Sequence, residues 1–246
     1  MVDIHCHILP EVDDGAWDLD AAMEMARLAV RCGVTGIIAT PHFKGVAESM
    51  GGLPHILHQF GLLQKSLKQE LPELKLIPGA EVLCLPQTLE LARVGQLPTL
   101  GNSRYVLTEF YFDASRKFMD STLMGLQALG YQPVVAHPER YGAIQRDLGL
   151  AQSWFDRGIV IQINKGSVLG AFGHRAEDTA VRLLYRGSAH LIASDGHSPL
   201  RRTTDLSGVQ AWALEHLGRE YTRILLKDNP GRIAKGRPMC RLHRRD

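Results

Sequence analysis

Short, densely apolar runs alternate with longer amphipathic ones from one end of the chain to the other. At the start, Val2, Ile4 and Ile8 alternate with Asp3, His5 and His7, so a strand here sets Asp3, His5 and His7 on one face. Pro10 and the Asp13-Asp14-Gly15 cluster then close it in a tight acidic turn. Asp18 reads as a helix N-cap. Leu19, Ala22, Met23, Ala26, Ala29 and Val30 follow at helical spacing, and Gly33 ends the helix. Residues 34–39 form an apolar run of strand length that leads into Thr40-Pro41-His42-Phe43. An amphipathic helix over 54–70 precedes a run at 74–78 and Gly79-Ala80-Glu81-Val82. The alternation continues with a short helix near 86–94, a strand at 105–109, a helix near 119–129 and a strand from 133 to His137. A helix near 146–157, a strand at 159–164, a helix over 174–187 and the run 191–193 follow. Helices at 205–217 and 230–235 complete the chain.

Strands this apolar are buried on both faces, which implies a parallel sheet with helices outside. There is no repeat, low-complexity stretch or linker, so the 246 residues read as a single domain spanning 1–246. The fold class is α/β. Seven strands in this length suit a closed or nearly closed (β/α)7, TIM-like barrel, since such barrels commonly reach about 250 residues. An open doubly wound sheet is the alternative, but it wants a glycine-rich phosphate loop after its first strand, where this chain has His5-Cys6-His7.

Composition narrows the partners. A net charge of +2 gives no general electrostatic reason to expect nucleic acid or an anionic membrane. The basic tail (Arg237, Arg241, His243, Arg244, Arg245) reads as a solvated end. The cysteines Cys6, Cys32, Cys84 and Cys240 form no Cys-x-x-Cys pair and no Cys-x5-Arg loop, which predicts reduced thiols in a cytoplasmic protein. A strand starting at residue 2 leaves no room for a signal peptide, and no apolar stretch approaches the roughly 20 residues a bilayer span needs.

The chemistry lies at the strand ends. In order these are His5 and His7, His42, Glu81, Glu109, His137, Asn164, then Asp195 and His197. Barrel enzymes build their active sites at this end from successive strands. A lone Glu there is ordinarily a solvated loop residue, and a lone buried His is ordinarily hydrogen-bonded core. Such a reading would have to hold at six of seven strands at once. His55 and His58, at i, i+3 spacing without a nearby acid, carry no such pattern. The candidates are five histidines (His5, His7, His42, His137, His197) and four carboxylates (Asp14, Glu81, Glu109, Asp195). Nine ligands exceed the needs of one ion, so two or three divalent ions are implied, with manganese, iron and zinc all suited to these donors. Cys6 lies between ligand histidines on the strand, so its thiol faces away and packs.

These residues carry a resemblance to the polymerase and histidinol phosphatase (PHP) superfamily, and within it to the bacterial capsule and exopolysaccharide phosphotyrosine-protein phosphatases. The motifs are Asp3-Ile4-His5-Cys6-His7 with Val12-Asp13-Asp14-Gly15, Ala39-Thr40-Pro41-His42, Gly79-Ala80-Glu81-Val82 and Thr108-Glu109-Phe110. Ala136-His137-Pro138-Glu139-Arg140-Tyr141, Asn164-Lys165-Gly166-Ser167 and Ala193-Ser194-Asp195-Gly196-His197 continue it, so the likeness covers essentially the whole chain. The resemblance implies a distorted PHP-type barrel with three metal sites. His5, His7, Glu81 and Asp195 would hold one ion; Glu81, Glu109 and His137 a second; Asp14, His42 and His197 a third. It implies that Arg140 and Arg202 bind substrate phosphate, and that the partner is the phosphotyrosine-bearing tail of a bacterial tyrosine kinase. The chain departs from the family at Tyr111-Phe112-Asp113, where members often carry proline, and at Leu83-Cys84, where they often carry arginine. Both departures alter the pocket rim, not the ligands.

The expected chemistry is attack on phosphorus by a hydroxide bridging two ions, with the third ion and Arg140 neutralising the phosphoryl oxygens. His137 and Asp195 are the substitutions that test it. Three alternatives stand beside it: a PHP phosphatase acting on a small metabolite such as histidinol phosphate, a PHP nuclease, and a non-catalytic metal-binding regulator of a kinase tail.

Overall fold

Strands without a polar face must be covered on both sides, and this requirement sets the architecture. The computed structural model describes residues 1–45 and 52–240. Its parallel strand segments are β1 (Val2–Cys6), β2 (Gly36–Ala39), β3 (His42–Phe43), β4 (Lys75–Pro78), β5 (Glu81–Leu83), β6 (Tyr105–Glu109), β7 (Gln132–Ala136), β8 (Val160–Asn164) and β9 (Leu191–Ala193). Seven strands are expected and nine segments occur, because two strands are interrupted. Pro41 has no N–H to give a ladder and breaks the first; Gly79-Ala80 breaks the second. Ala39 pairs with Pro78 before the breaks and His42 with Glu81 after them, so each broken strand resumes beside the same neighbour.

Two sheets result, β1-β2-β4 and β3-β5-β6-β7-β8-β9, and every pairing is parallel. The last strand returns to the first. Cys6 bridges to Gly196, Asp195 N donates to His5 O at 2.9 Å, and His7 N donates to Gly196 O at 2.8 Å. The product is a distorted (β/α)7 barrel. Asp3 shares a face with His5 and His7, but its buried Oδ1 accepts from Ser194 N at 3.1 Å and so belongs to this seam.

The helices pack outside. The first (Leu19–Arg31) is capped by Asp18, whose Oδ1 accepts from Ala21 N, and it buries Ala22, Met25, Ala26 and Ala29. The helix expected near 146–157 is two, Gly142–Arg146 and Leu148–Asp156, because Asp147 leaves helical geometry to cap the second. Residues 219–229, for which the sequence reading assigns no element, are helical as Arg219–Arg223 and Ile224–Asp228, continuing into Asn229–Ile233. Tyr221, Leu225, Leu226 and Ile233 are buried there, and Tyr221 and Asn229 hydrogen-bond to the backbone of Ala189 and His190 below β9. This segment seals the amino end of the barrel. Arg237 is exposed, and the rest of the basic tail lies outside the described residues. Among the described residues, no helix is long and apolar enough to cross a membrane.

Candidate metal centre

At the opposite end, the nine candidate ligands converge. His5 Nε2 lies 3.2 Å from Glu81 Oε1, 3.3 Å from Asp195 Oδ1 and 3.3 Å from His7 Nε2. His137 Nε2 is 3.1 Å from Glu81 Oε1 and 3.7 Å from Glu109 Oε1. His42 Nδ1 is 3.2 Å from Glu81 Oε2, and its Nε2 is 3.3 Å from Asp14 Oδ1; His197 Nε2 is 3.5 Å from that same oxygen. Four groups have ligand atoms within 4.8 Å of one another: His5, His7 and Glu81; His5, His137 and Asp195; His42, Glu81 and Glu109; and His7, Asp14, His42 and His197. Of the three sets the resemblance implies, Asp14-His42-His197 recurs here with His7 added, whereas the other two are divided differently, His137 grouping with His5 and Asp195, and His42 with Glu81 and Glu109. His55 lies elsewhere, its Nε2 beside Glu11 O, and Cys6 is packed in the core.

The broken strands explain the convergence. His42 and Glu81 are paired residues of the segments after the breaks. Local backbone aims two more groups: His137 (φ 34°) and Asp195 (φ 50°) occupy the left-handed region, which costs a non-glycine residue of order 1–3 kcal/mol. Gly15 lets the acidic turn lie against β1, since a Cβ there would stand 2.1 Å from His7 O.

Outer contacts fix which nitrogen each ring offers. His7 Nδ1 donates to Asp13 Oδ2 at 2.7 Å, His5 Nδ1 to Gln162 Oε1 at 2.9 Å and His197 Nδ1 to Asp195 O at 3.0 Å. With Nδ1 so engaged, each Nε2 turns its lone pair inward, the arrangement found around metal-ligating histidines. Two such nitrogens facing each other at 3.3 Å, between ionised carboxylates, suit a cation between them. Among the described residues His137 Nδ1 is buried without a hydrogen-bond partner, and His42 Nδ1 makes no aligned hydrogen bond although Glu81 Oε2 stands 3.2 Å away. This donor set, imidazole and carboxylate without thiolate, fits borderline divalent metals.

The electrostatics agree. Burial pulls the His7 imidazolium down, but Asp13 and Glu81 outweigh it and hold His7 well above the ordinary value. Burial likewise opposes Asp14 and Glu81 at His42, which is raised to about 10. Asp14 is held far below the usual carboxylate range by hydrogen bonds from His197 and His42. Burial would raise Glu81, but the surrounding imidazoles lower it well below normal, whereas burial and the Glu81 charge raise Glu109. The centre therefore attracts positive charge strongly.

On the rim, Arg202 Nη2 donates to Asp195 Oδ2 at 2.6 Å and Asn164 Nδ2 donates to the same oxygen at 2.5 Å. Arg140 Nη1 is 3.8 Å from it. Three residues have roles the sequence reading did not assign. Asp13 holds His7 and also accepts from His42 N at 3.0 Å; Gln162 orients His5; Asn164 orients Asp195. Gln162 had a readable signal, being an amide in the middle of the apolar strand Val160–Asn164, on the same face as Asn164 two residues on.

A parallel barrel whose strand ends gather imidazoles and carboxylates into adjoining ligand groups defines the metal-centred barrel class. Within that class, the chain belongs to the capsular polysaccharide synthesis CpsB/CapC family, whose pattern matches residues 1–235. It is 37% identical over 201 residues to the tyrosine-protein phosphatase YwqE of Bacillus subtilis (strain 168), covering 80% of this chain and 78% of that protein. A solved structure from work on YwqE of Bacillus subtilis and CpsB of Streptococcus pneumoniae, described as unique metal-dependent tyrosine phosphatases, matches with a TM-score of 0.89 at 32% identity. It covers 100% of this chain and 97% of that one. Histidinol phosphate phosphatase of Lactococcus lactis shares the fold, with a TM-score of 0.50, 15% identity, and coverage of 87% of this chain and 91% of that one.

Proposed function

We propose that this protein is a metal-dependent protein-tyrosine phosphatase acting on phosphotyrosine in the tail of a polysaccharide-biosynthesis tyrosine kinase. The observation that carries the reading is the set of inward-facing nitrogens and carboxylates beneath two arginines, in a chain of the CpsB/CapC family. His5, His7, Glu81 and Asp195 would hold one divalent ion, Glu81, Glu109 and His137 a second, and Asp14, His42 and His197 a third. Manganese is the metal, with iron and zinc as competitors for the same donors. Bound divalent ions supply a water acidified from about 15.7 toward 7 and a positive floor for phosphoryl oxygens.

The chain's own residues do the remainder. Asp13 and Gln162 keep His7 and His5 in the required tautomer. Arg140 and Arg202 grip the phosphate, a task that suits the planar guanidinium fork. The tyrosyl oxygen, with a pKa of about 10, leaves with less protonation than a serine alkoxide requires. Four free cysteines suit the cytoplasm, where kinase tails are presented.

The test is a rate comparison on manganese-loaded protein with a chelator control. Phosphotyrosyl peptide, phosphoseryl peptide and histidinol phosphate are run side by side. Chelator-sensitive turnover of the tyrosyl peptide well above the other two is expected. Preference for histidinol phosphate moves the protein to small-metabolite chemistry. No turnover with manganese, iron or zinc leaves a metal-binding regulator.

A further inference from the structure

Arg140 is held in an unusual way for a group meant to bind phosphate. Its guanidinium makes no hydrogen bond among the described residues, and the carboxylate oxygen nearest it, Asp195 Oδ2, already accepts from Arg202 and Asn164. Instead its Cζ lies 4.5 Å from the ring centroid of Phe112 and 4.5 Å from that of Phe172. A guanidinium has two π faces and an edge of N–H donors. Rings packed against it restrict it through cation–π attraction and leave its N–H donors unspent.

Both rings are themselves anchored. Phe112 follows β6, and its carbonyl accepts from Gly142 N at 2.8 Å, which ties its loop to the turn just past Arg140. The ring is 47% exposed, so core packing alone does not account for it. Phe172 lies against the turn after β8, where a Cβ on Gly166 would stand 2.6 Å from Phe172 Cε2; only glycine admits the ring there. Gly166 N in turn donates to Asn164 Oδ1, and Asn164 holds Asp195. Phe172 is also 5.7 Å from Arg202 Cζ.

We propose that Phe112 and Phe172 are positioning residues, an aromatic clamp that presents the free edge of Arg140 to the substrate phosphate. The proposal rests on the reading of Arg140 as a phosphate-binding residue.

The test is direct binding of inorganic phosphate, which has no ring to stack, to manganese-loaded protein by calorimetry. Phe112→Leu and Phe172→Leu are each expected to raise the Kd about two- to tenfold, and Phe172→Tyr to stay near wild type. In an Arg140→Ala background the leucine variants are expected to change nothing further. With phosphotyrosyl peptide, KM should rise more than kcat falls. Equal losses with and without Arg140, or no loss at all, overturn the clamp. Phe112→Leu carries the test if Phe172→Leu fails to fold. If Arg140→Ala itself leaves the phosphate Kd unchanged, the reading of Arg140 has failed instead. Phosphate binding that follows the clamp pattern without peptide turnover overturns the substrate class and keeps the clamp.

Discussion

His190 and His197 flank the same short strand, β9, and are almost equally buried at 7% and 5% exposure. Their surroundings are opposite. At the amino end, His190 Nδ1 accepts from Ile161 N at 3.1 Å, its own N–H reaches Ile161 O at 2.9 Å, and its ring stacks on Phe155 at 4.4 Å. Burial alone pushes its pKa down to about 3, so it is a neutral structural group. At the carboxyl end, His197 has its Nδ1 on a backbone carbonyl, its ring 3.9 Å from His7 and its Nε2 facing Asp14. Burial does not separate a structural histidine from a ligand. What the outward nitrogen meets does.

Substitutions at the two ends should therefore differ most in turnover. Asp195→Asn or Glu81→Gln is expected to lower kcat with phosphotyrosyl peptide about 10^3-fold, the worth of several kcal/mol of charge stabilisation. His190→Asn should leave kcat near wild type; a parallel loss there would erase the contrast. Manganese at about 100 times its Kd should stabilise the fold by about 2.7 kcal/mol and raise Tm by about 5–10 °C. That shift should persist in His190→Asn and shrink in Glu81→Gln. Asp13→Asn is expected to weaken metal binding about 10–100-fold by calorimetric titration, because His7 loses the partner that fixes its tautomer.

The smallest effect belongs to acid. His190 has a folded pKa of about 3 against an unfolded value near 6.5, so between these values the unfolded chain binds the extra proton. Its contribution is fully present above 6.5 and is lost as pH falls. Stability should drop by about 1–2 kcal/mol between pH 6.5 and 5, measured as the difference in urea unfolding between wild type and His190→Asn. A pH slope identical in the two proteins would refute it.

The strands and the residues at their ends were legible because apolar runs and polar termini are local patterns. His5, His7, His42, Glu81, Glu109, His137, Asp195 and His197 all stand where such a pattern predicts a ligand. Less legible was anything set by a neighbouring strand. Asp3 alternates like a ligand yet serves the seam, because Ser194 arrives beside it from 191 residues away. Asp13 and Asp14 are adjacent and chemically alike, but one holds the His7 ring from behind and the other faces the His42 and His197 rings. Arg202 was readable as a phosphate residue but not as the partner of Asp195. The helical run 219–229 holds good helix formers (Glu220, Arg223, Leu225, Leu226, Lys227), but a five-residue helix passes there into a wider π turn, so no single helical period marks it.

The seam between β1 and β9 also orders events in time. His5 lies in β1 and is synthesised well before Asp195, which follows β9, and the bridge from Cys6 to Gly196 joins residues 190 positions apart. Such distant pairings form late, since the intervening chain must be ordered first. A nascent or truncated chain that stops before β9 holds scattered imidazoles with neither the closing strand nor Asp195. Without β9 a chain therefore lacks the seam that brings Asp195 Oδ1 within 3.3 Å of His5 Nε2.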